Sequence, residues 1–375
     1  MNLPIRDRTS RRDFLTTTGS MIAAALSLST TTYAADRVGK DASLGKVASD
    51  KRRQIAIGVF DPVYEKLSLD EMIAKISALG LEAVEIGTGG YPGAHHCPVQ
   101  DLLNDAGKLR EWKAKFEDHG IQVAALSCHG NPLHPNGAIA KRDADTFRQT
   151  VLLAERLAVQ VIVGFSGCPG GSPSDTTPAW ITYRWPEEHA RALDWQWNEK
   201  VIPYWKQAAQ FAREHGIRKL AFEMHPNFVV YNPRTLLKLR GAVGEEIGAN
   251  CDLSHLFWQG CDPIEVIRML GKEGAIYHAH MKDTVFYRDN VDRYGVLNFA
   301  FDTNDLPNAS ETFRAVGYGH AAATWKQIVA TYMEVGYQGI LSIENEDPIL
   351  PGEVGVERAA YVLKNVREEL LNSPS

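Results

Sequence analysis

The feature of this sequence that most constrains its fold is an alternation of short apolar runs and amphipathic stretches, which begins at Gln54. The runs have the length of strands, and each ends in polar residues. They cover residues 55–60, 83–87, 122–127, 159–165, 220–224, 248–252, 276–280 and 339–343. Eight such units predict an α/β fold, a (β/α)8 TIM barrel in a single domain. The alternative is a doubly wound open sheet, but its usual glycine-rich first turn does not follow Phe60.

The stretches between the runs have the spacing of helices with one buried face. In residues 69–79, apolar side chains recur every three or four positions. Similar patterns predict helices within residues 151–157, 203–213, 264–270, 328–335 and 358–370. Four predicted helices are followed by a glycine, the residue that commonly ends a helix just past its last turn. These glycines are Gly80, Gly120, Gly216 and Gly336.

The N-terminus has the pattern of an export signal. Arg11 and Arg12 precede Phe14, and a weakly apolar stretch follows at 21–28. Small residues then occupy the positions that a signal peptidase reads, up to Ala34. This order resembles a twin-arginine signal, although a basic disordered tail or a short amphipathic helix is the alternative. We therefore predict a signal peptide at 1–34, a linker at 35–53 and the barrel at 54–371. The predicted location is the periplasm or another exported compartment.

The composition argues against several classes of protein. The formal net charge is −6, so a general attraction for nucleic acid is not expected. No apolar run reaches the roughly 18 residues that a membrane-spanning helix needs. The five cysteines contain no Cys-x-x-Cys pair, which argues against a structural zinc knuckle. A small-molecule ligand is the expected partner, and the sequence leaves open a homo-oligomer or a partner subunit.

Four successive strands end in residues that bind metals. The fifth to eighth runs supply Glu223, Asp252, His280 and Glu344. Active sites of such barrels lie at the carboxyl ends of the strands, so these side chains are predicted to share one centre. A mixed oxygen and nitrogen set suits Mn²⁺, our first choice, and also Zn²⁺, Co²⁺ or Mg²⁺.

Other polar residues near the strand ends are candidates for substrate contacts. Because side chains alternate along a strand, Lys282 shares a face with His280, and His225 shares one with Glu223. His255 is predicted to hold a substrate oxygen or to cap the next helix. His129 is predicted either to belong to the site or to have a structural role. His278 is predicted either to belong to the site or to pack in the barrel core.

The segments 223–226, 252–256, 278–283 and 342–346 resemble the xylose-isomerase-like barrel superfamily, and the resemblance spans about residues 54–371. The superfamily contains sugar isomerases and epimerases, inosose dehydratases and nucleases of the endonuclease IV type. In its ketose epimerases one metal is held by two Glu, an Asp and a His, and both Glu move protons. The resemblance implies these roles for Glu223, Asp252, His280 and Glu344. Segment 316–320 and the region 250–260 also resemble exported members.

Three reactions fit this centre, because all begin with an enediolate that a metal can stabilise. Epimerisation and isomerisation return the proton, whereas elimination expels a substituent. The predicted catalytic residues are Glu223 and Glu344 as acid and base, with His255 and Lys282 assisting. Substrate contacts are predicted at His129 and His225, and at two aromatic residues of the loop regions. The latter are Trp185 and Trp258.

A sugar isomerase or epimerase is the leading prediction. The main alternative is a 3-keto-glycoside lyase that resembles the α subunits of C-glycoside deglycosidases, since two long aromatic loops suit a bulky aglycone. A non-catalytic sugar-binding protein would not need all four predicted ligands. A nuclease of the endonuclease IV type would need more zinc ligands and a basic surface, and neither is evident in the sequence.

Overall fold

The computed structural model describes residues 55–300 and 303–372, which form a closed barrel of eight parallel strands surrounded by helices. The TIM barrel prediction is thereby confirmed. The predicted signal peptide and linker lie outside the described residues. The barrel strands are β1 (Ala56–Phe60), β2 (Ala83–Gly87), β3 (Gln122–Ser127), β4 (Val161–Gly164), β5 (Lys219–Glu223), β6 (Ile247–Asn250), β7 (Ile276–Met281) and β10 (Ile340–Ile343).

The barrel closes because the first and last strands pair. β1 lies beside β10, in a parallel register that aligns Gly58 with Ser342. On its other side β1 pairs with β2, where Gly58 is opposite Ala83. A Cβ atom at Gly58 would lie 2.7 Å from the Ala83 carbonyl oxygen, so only glycine permits this close approach.

Helices alternate with the strands, as the spacing of apolar residues predicts. α1 begins after a capping box formed by Ser68 and Glu71, and it buries Met72, Ile73 and Ile76. The helices are α1 (Leu69–Ala78), α2 (Val99–Asn104), α3 (Ala106–Glu117), α4 (Gly137–Leu157), α5 (Glu187–Trp195), α6 (Ile202–Glu214), α7 (Pro233–Val243), α8 (Ser254–Phe257), α9 (Pro263–Lys272), α10 (Arg288–Tyr294), α11 (Ala322–Glu334) and α12 (Gly352–Asn372).

Alternation along each strand separates an apolar outer core from a polar interior. On β5, Phe222 packs against Trp205 of α6, with ring centroids 4.4 Å apart. The next residue, Glu223, must then face the inside of the barrel. This geometry explains how one strand supplies both the helix-facing core and the candidate site.

A two-stranded antiparallel hairpin follows β7, in a region where the sequence has no strand-like apolar run. Its strands are β8 (Asp283–Phe286) and β9 (Glu311–Arg314). Asp283 fixes the return to the barrel, because its carboxylate accepts hydrogen bonds from the backbone of Gly317, Gly319 and His320. The hairpin therefore lies beside the carboxyl end of the barrel.

No helix within the described ranges is long and apolar enough to cross a membrane.

Candidate metal centre and substrate pocket

The carboxyl ends of four adjacent strands bring the predicted ligands together. Glu223 ends β5, Asp252 follows β6, His280 lies in β7 and Glu344 follows β10. One ligand atom from each lies within 4.8 Å of the others. Glu223, Asp252 and His280 are buried, and 14% of the Glu344 side chain is exposed.

Three of these ligand atoms lack hydrogen-bond partners among the described residues. They are Oδ2 of Asp252, Nδ1 of His280 and Oε2 of Glu344, and all three are buried. The other Asp252 oxygen accepts a bond from the Ser254 backbone, which leaves Oδ2 directed to the centre. Buried polar atoms without partners are costly, and a cation would satisfy all three together. Three carboxylates and one imidazole, without a thiolate, suit a hard or borderline divalent ion.

Glu85, in the middle of β2, was not predicted as a site residue. Its carboxylate is fully buried and lies 2.7 Å from His278 Nε2 and 3.0 Å from His280 Nε2. It also accepts bonds from the hydroxyls of Ser127 and Ser342. Burial opposes ionisation of Glu85, but the two imidazoles outweigh it and hold its pKa well below the ordinary value. His278 is therefore a buried partner of Glu85.

Glu223 is surrounded by hydrogen-bond donors. His129 Nε2 lies 3.0 Å from one of its oxygens, and His255 Nε2 lies 2.9 Å from the other. The Asn250 amide donates to it at 3.3 Å. Burial raises the pKa of Glu223, but these imidazole contacts outweigh it, and the net pKa is well below the ordinary value. Glu223 is therefore ionised at neutral pH.

Lys282 places a buried ammonium group beside the centre. It donates to Glu346 at 2.9 Å and lies 3.0 Å from Asp252 Oδ2 and 2.7 Å from Glu344 Oε2. Burial lowers the pKa of Lys282, but the carboxylates outweigh it and raise the pKa well above the ordinary value. The contacts of Lys282 with Asp252 and Glu344 have the distances of ion pairs but not the angles of hydrogen bonds.

A pocket of about 180 Å³ opens onto this centre. Its apolar wall contains Phe60, Tyr91 and Phe165, and His129 and His225 also line it. Burial lowers the pKa of His225 to about 3, so this imidazole is neutral. A larger cavity of about 380 Å³ lies at the opposite end of the barrel and is lined by none of the predicted ligands.

The two predicted substrate-binding tryptophans lie elsewhere. Trp185 is 73% exposed, and Trp258 is buried with its ring edge-on to Phe299. Neither lines the pocket, whose aromatic residues are instead Phe60, Tyr91 and Phe165. Phe60 ends β1 and Phe165 directly follows β4, so the barrel fixes these two rings, whereas Tyr91 lies in a turn after β2 and is 75% exposed.

The hairpin adds a carboxyl group that sequence reasoning missed. Glu311 of β9 is 6% exposed, and its Oε2 atom has no hydrogen-bond partner in the described parts of the chain. Burial raises the pKa of Glu311 to about 7, although His255 and Lys282 oppose this. Phe313, two residues on, lies over the Lys282 ammonium at 4.7 Å. The hairpin thus covers one side of the centre.

The comparisons with known proteins agree with this architecture. Residues 73–366 match the model of the family described as a xylose isomerase-like TIM barrel. The chain belongs to this family. It is 36% identical over 304 residues to the uncharacterized protein YfiH of Bacillus subtilis (strain 168), covering 80% of this chain and 95% of that protein.

Solved structures with the same fold include a D-tagatose 3-epimerase-like protein. Its TM-score is 0.56 at 20% identity, covering 84% of this chain and 100% of that one. Another is a xylose isomerase-like TIM barrel protein from Mycobacterium smegmatis in complex with magnesium. Its TM-score is 0.54 at 15% identity, covering 84% of this chain and 98% of that one. At these identities the likeness establishes the fold.

Proposed function

We propose that the protein is a divalent-metal-dependent sugar isomerase or epimerase. The observation that carries the proposal is the convergence of Glu223, Asp252, His280 and Glu344, three of which contribute buried atoms that make no hydrogen bond. Membership of the xylose isomerase-like family and the fold shared with a D-tagatose 3-epimerase-like protein support it.

The four converging residues would hold one divalent ion, with Mn²⁺ as our first choice and Zn²⁺, Co²⁺ and Mg²⁺ as the alternatives. When bound, the ion would supply a Lewis acid that polarises the substrate carbonyl group. Without a cation, the carboxylates of Glu85 and Glu344 outweigh burial and raise the pKa of His280 well above its ordinary value. Binding of a cation would release that proton.

The proton transfers are assigned to two carboxylates. Glu223 is ionised and takes the proton from the carbon next to the carbonyl group. Glu344 returns a proton to the opposite face, which gives an epimer, or to the neighbouring carbon, which gives an isomer. Lys282 lines the pocket, and its ammonium group stabilises negative charge on a substrate oxygen. His255 assists from behind Glu223, to which its Nε2 is bonded at 2.9 Å.

The test is product analysis with purified protein that is loaded with Mn²⁺. We expect the protein to convert at least one of D-fructose, D-psicose, D-tagatose and D-sorbose into an epimer or an aldose, detected by chromatography. Glu344→Gln should remove this conversion, whereas Glu353→Gln, in an exposed ion pair with Lys75, should not. Conversion by the Glu344→Gln variant at the normal rate would contradict the assignment.

A second candidate is a 3-keto-glycoside lyase that cleaves by β-elimination. It is favoured by Tyr183 and Trp185, which are 72% and 73% exposed on the long segment after β4, at the same end of the barrel as the centre. Exposed aromatic rings suit a bulky aglycone. Release of the aglycone from a 3-keto-glucoside, without conversion of free ketoses, would favour this candidate.

We also propose that the chain is exported. Support comes from Arg11 and Arg12 followed by Phe14 and by the small residues that end at Ala34. Replacing both arginines with lysine should retain the unprocessed chain in the cytoplasm. Mass spectrometry of the exported protein should find a new N-terminus at Ala35, and an intact Met1 there would contradict cleavage.

A further inference from the structure

We propose that the pocket takes an uncharged sugar and discriminates against phosphorylated and carboxylated ones. This inference rests on the isomerase or epimerase function proposed above and names the charge class of its substrate. It follows from how the charged side chains around the centre are paired.

The pocket offers an anion no unshared cation. Among the described residues that line it, Lys282 is the one lysine or arginine. Lys282 is 1% exposed and already lies within 3.0 Å of oxygens of Asp252, Glu344 and Glu346. A phosphate would have to compete with three carboxylates for one ammonium group.

Two arginines on segments near the carboxyl end of the barrel also form ion pairs. Arg142, at the start of α4, lies 2.8 Å from Asp143. Arg314, at the end of β9, lies 2.8 Å from Asp347, in the segment after β10. Each arginine thus has a carboxylate partner, although 68% of the Arg142 side chain is exposed.

Carboxylates outnumber cationic side chains around the centre. Glu223, Glu344 and Glu346 line the pocket, and Asp252 lies 3.0 Å from the ammonium group of Lys282. An anionic substrate would therefore meet three carboxylates of the pocket wall and one ammonium group that carboxylates already surround.

Three backbone amides of the glycine-rich segment 164–172 after β4 already have side-chain acceptors. The Asp175 carboxylate accepts bonds from the backbone of Gly171 at 2.6 Å and of Ser172 at 3.2 Å, and Asn131 accepts one from Cys168 at 2.9 Å. One wall of the pocket is apolar, with Phe60 and Phe165. Such a wall suits the C–H face of a neutral sugar ring.

The experiment compares matched substrates on the full chain loaded with Mn²⁺. The rate of epimer or aldose formation would be measured for the four 2-ketohexoses and for their 6-phosphates. We expect kcat/KM to be at least about 10-fold higher for the best free sugar than for its phosphate. An equal or higher value for the phosphate would overturn the inference. Inactivity toward both classes would instead contradict the proposed function, and the inference would fall with it.

A variant tests the cause of the discrimination. Glu346→Gln removes one partner of Lys282 and one carboxylate of the pocket wall, so the preference for the free sugar should fall by about 10-fold. The matched control is Glu353→Gln, which removes a carboxylate of α12 that pairs with Lys75. An unchanged preference in Glu346→Gln would show that the pairing of Lys282 does not determine whether the pocket prefers neutral or phosphorylated sugars.

Discussion

Glu85 holds His280 by one ring nitrogen and leaves the other directed to the candidate metal centre. Nε2 of His280 lies 3.0 Å from Glu85 Oε2, whereas Nδ1 lies 3.0 Å from Glu344 Oε2. A carboxylate that accepts a hydrogen bond from Nε2–H fixes the ring and leaves the Nδ1 lone pair for a metal. The strand β2 therefore contributes to the centre without supplying a ligand.

Replacing Glu85 should weaken metal binding more than it weakens the fold. Glu85→Gln is expected to lower the affinity for Mn²⁺ by about 10- to 100-fold, measured by titration calorimetry on the metal-free protein. A matched control is Glu246→Gln, since Glu246 is a buried carboxylate that precedes β6 at the opposite end of the barrel. Equal metal affinities in the two variants would show that Glu85 does not orient His280.

Removing the proposed acid and base should stop the reaction without unfolding the protein. Glu223→Gln and Glu344→Gln are each expected to lower kcat by about 10²- to 10⁴-fold, because each removes a proton carrier. The circular dichroism spectrum should stay that of the unmodified protein. Activity within a few-fold of normal in either variant would exclude that residue as a proton carrier.

The buried Glu311 should make stability depend on pH. Its folded-state pKa of about 7 lies above the ordinary 4.5, so its contribution is fully present below pH 4.5 and is lost as pH rises to 7. Glu311→Gln avoids burying that charge. The variant should unfold at a higher temperature than the unmodified protein at pH 8, by an amount equivalent to about 2–3 kcal/mol.

The comparison at acid pH provides the control for Glu311. At about pH 3.5, one unit below the ordinary pKa, the side chain is largely neutral in both states, so the two proteins should melt at the same temperature. A variant that is less stable than the unmodified protein at pH 8 would mean that ionised Glu311 stabilises the fold.

Asp283 should anchor the hairpin. Its carboxylate accepts bonds from four backbone amides, from His320 Nδ1 at 2.7 Å and from Trp325 Nε1 at 3.1 Å. Asp283→Asn replaces an acceptor with an NH₂ group, and we expect it to destabilise the protein by about 2–4 kcal/mol. Asp289→Asn, at an exposed position of α10, is the control. Equal denaturation midpoints would contradict the anchoring role.

Much of the barrel could be predicted because apolar runs mark its strands, but the hairpin could not. β8 and β9 have four residues each, and the second, Glu-Thr-Phe-Arg, is largely polar. Runs so short and polar do not differ from loop sequence. Helix α4 likewise begins at Gly137, before its apolar pattern becomes regular near residue 151.

The candidate metal centre could be predicted in part, from the alternation of side chains along the strands. The period of two places His280 and Lys282 on one face, and both reach Glu344. Glu85 was missed because it lies inside the predicted strand 83–87 and not at a carboxyl end, where ligands are expected, although a carboxylate inside an apolar strand signals a buried partner. Whether Trp185 reaches the pocket depends on the geometry of the segment after β4, which the spacing of residues does not encode.

The most direct test of the central claim is proton NMR in D₂O with a ketohexose and Mg²⁺- or Zn²⁺-loaded protein. We predict that deuterium enters at the carbon next to the carbonyl group, that EDTA stops this exchange, and that the added ion restores it. Glu223→Gln should abolish the exchange in the presence of the ion. Exchange that persists in both EDTA and this variant would contradict a metal-assisted proton transfer at Glu223, Asp252, His280 and Glu344.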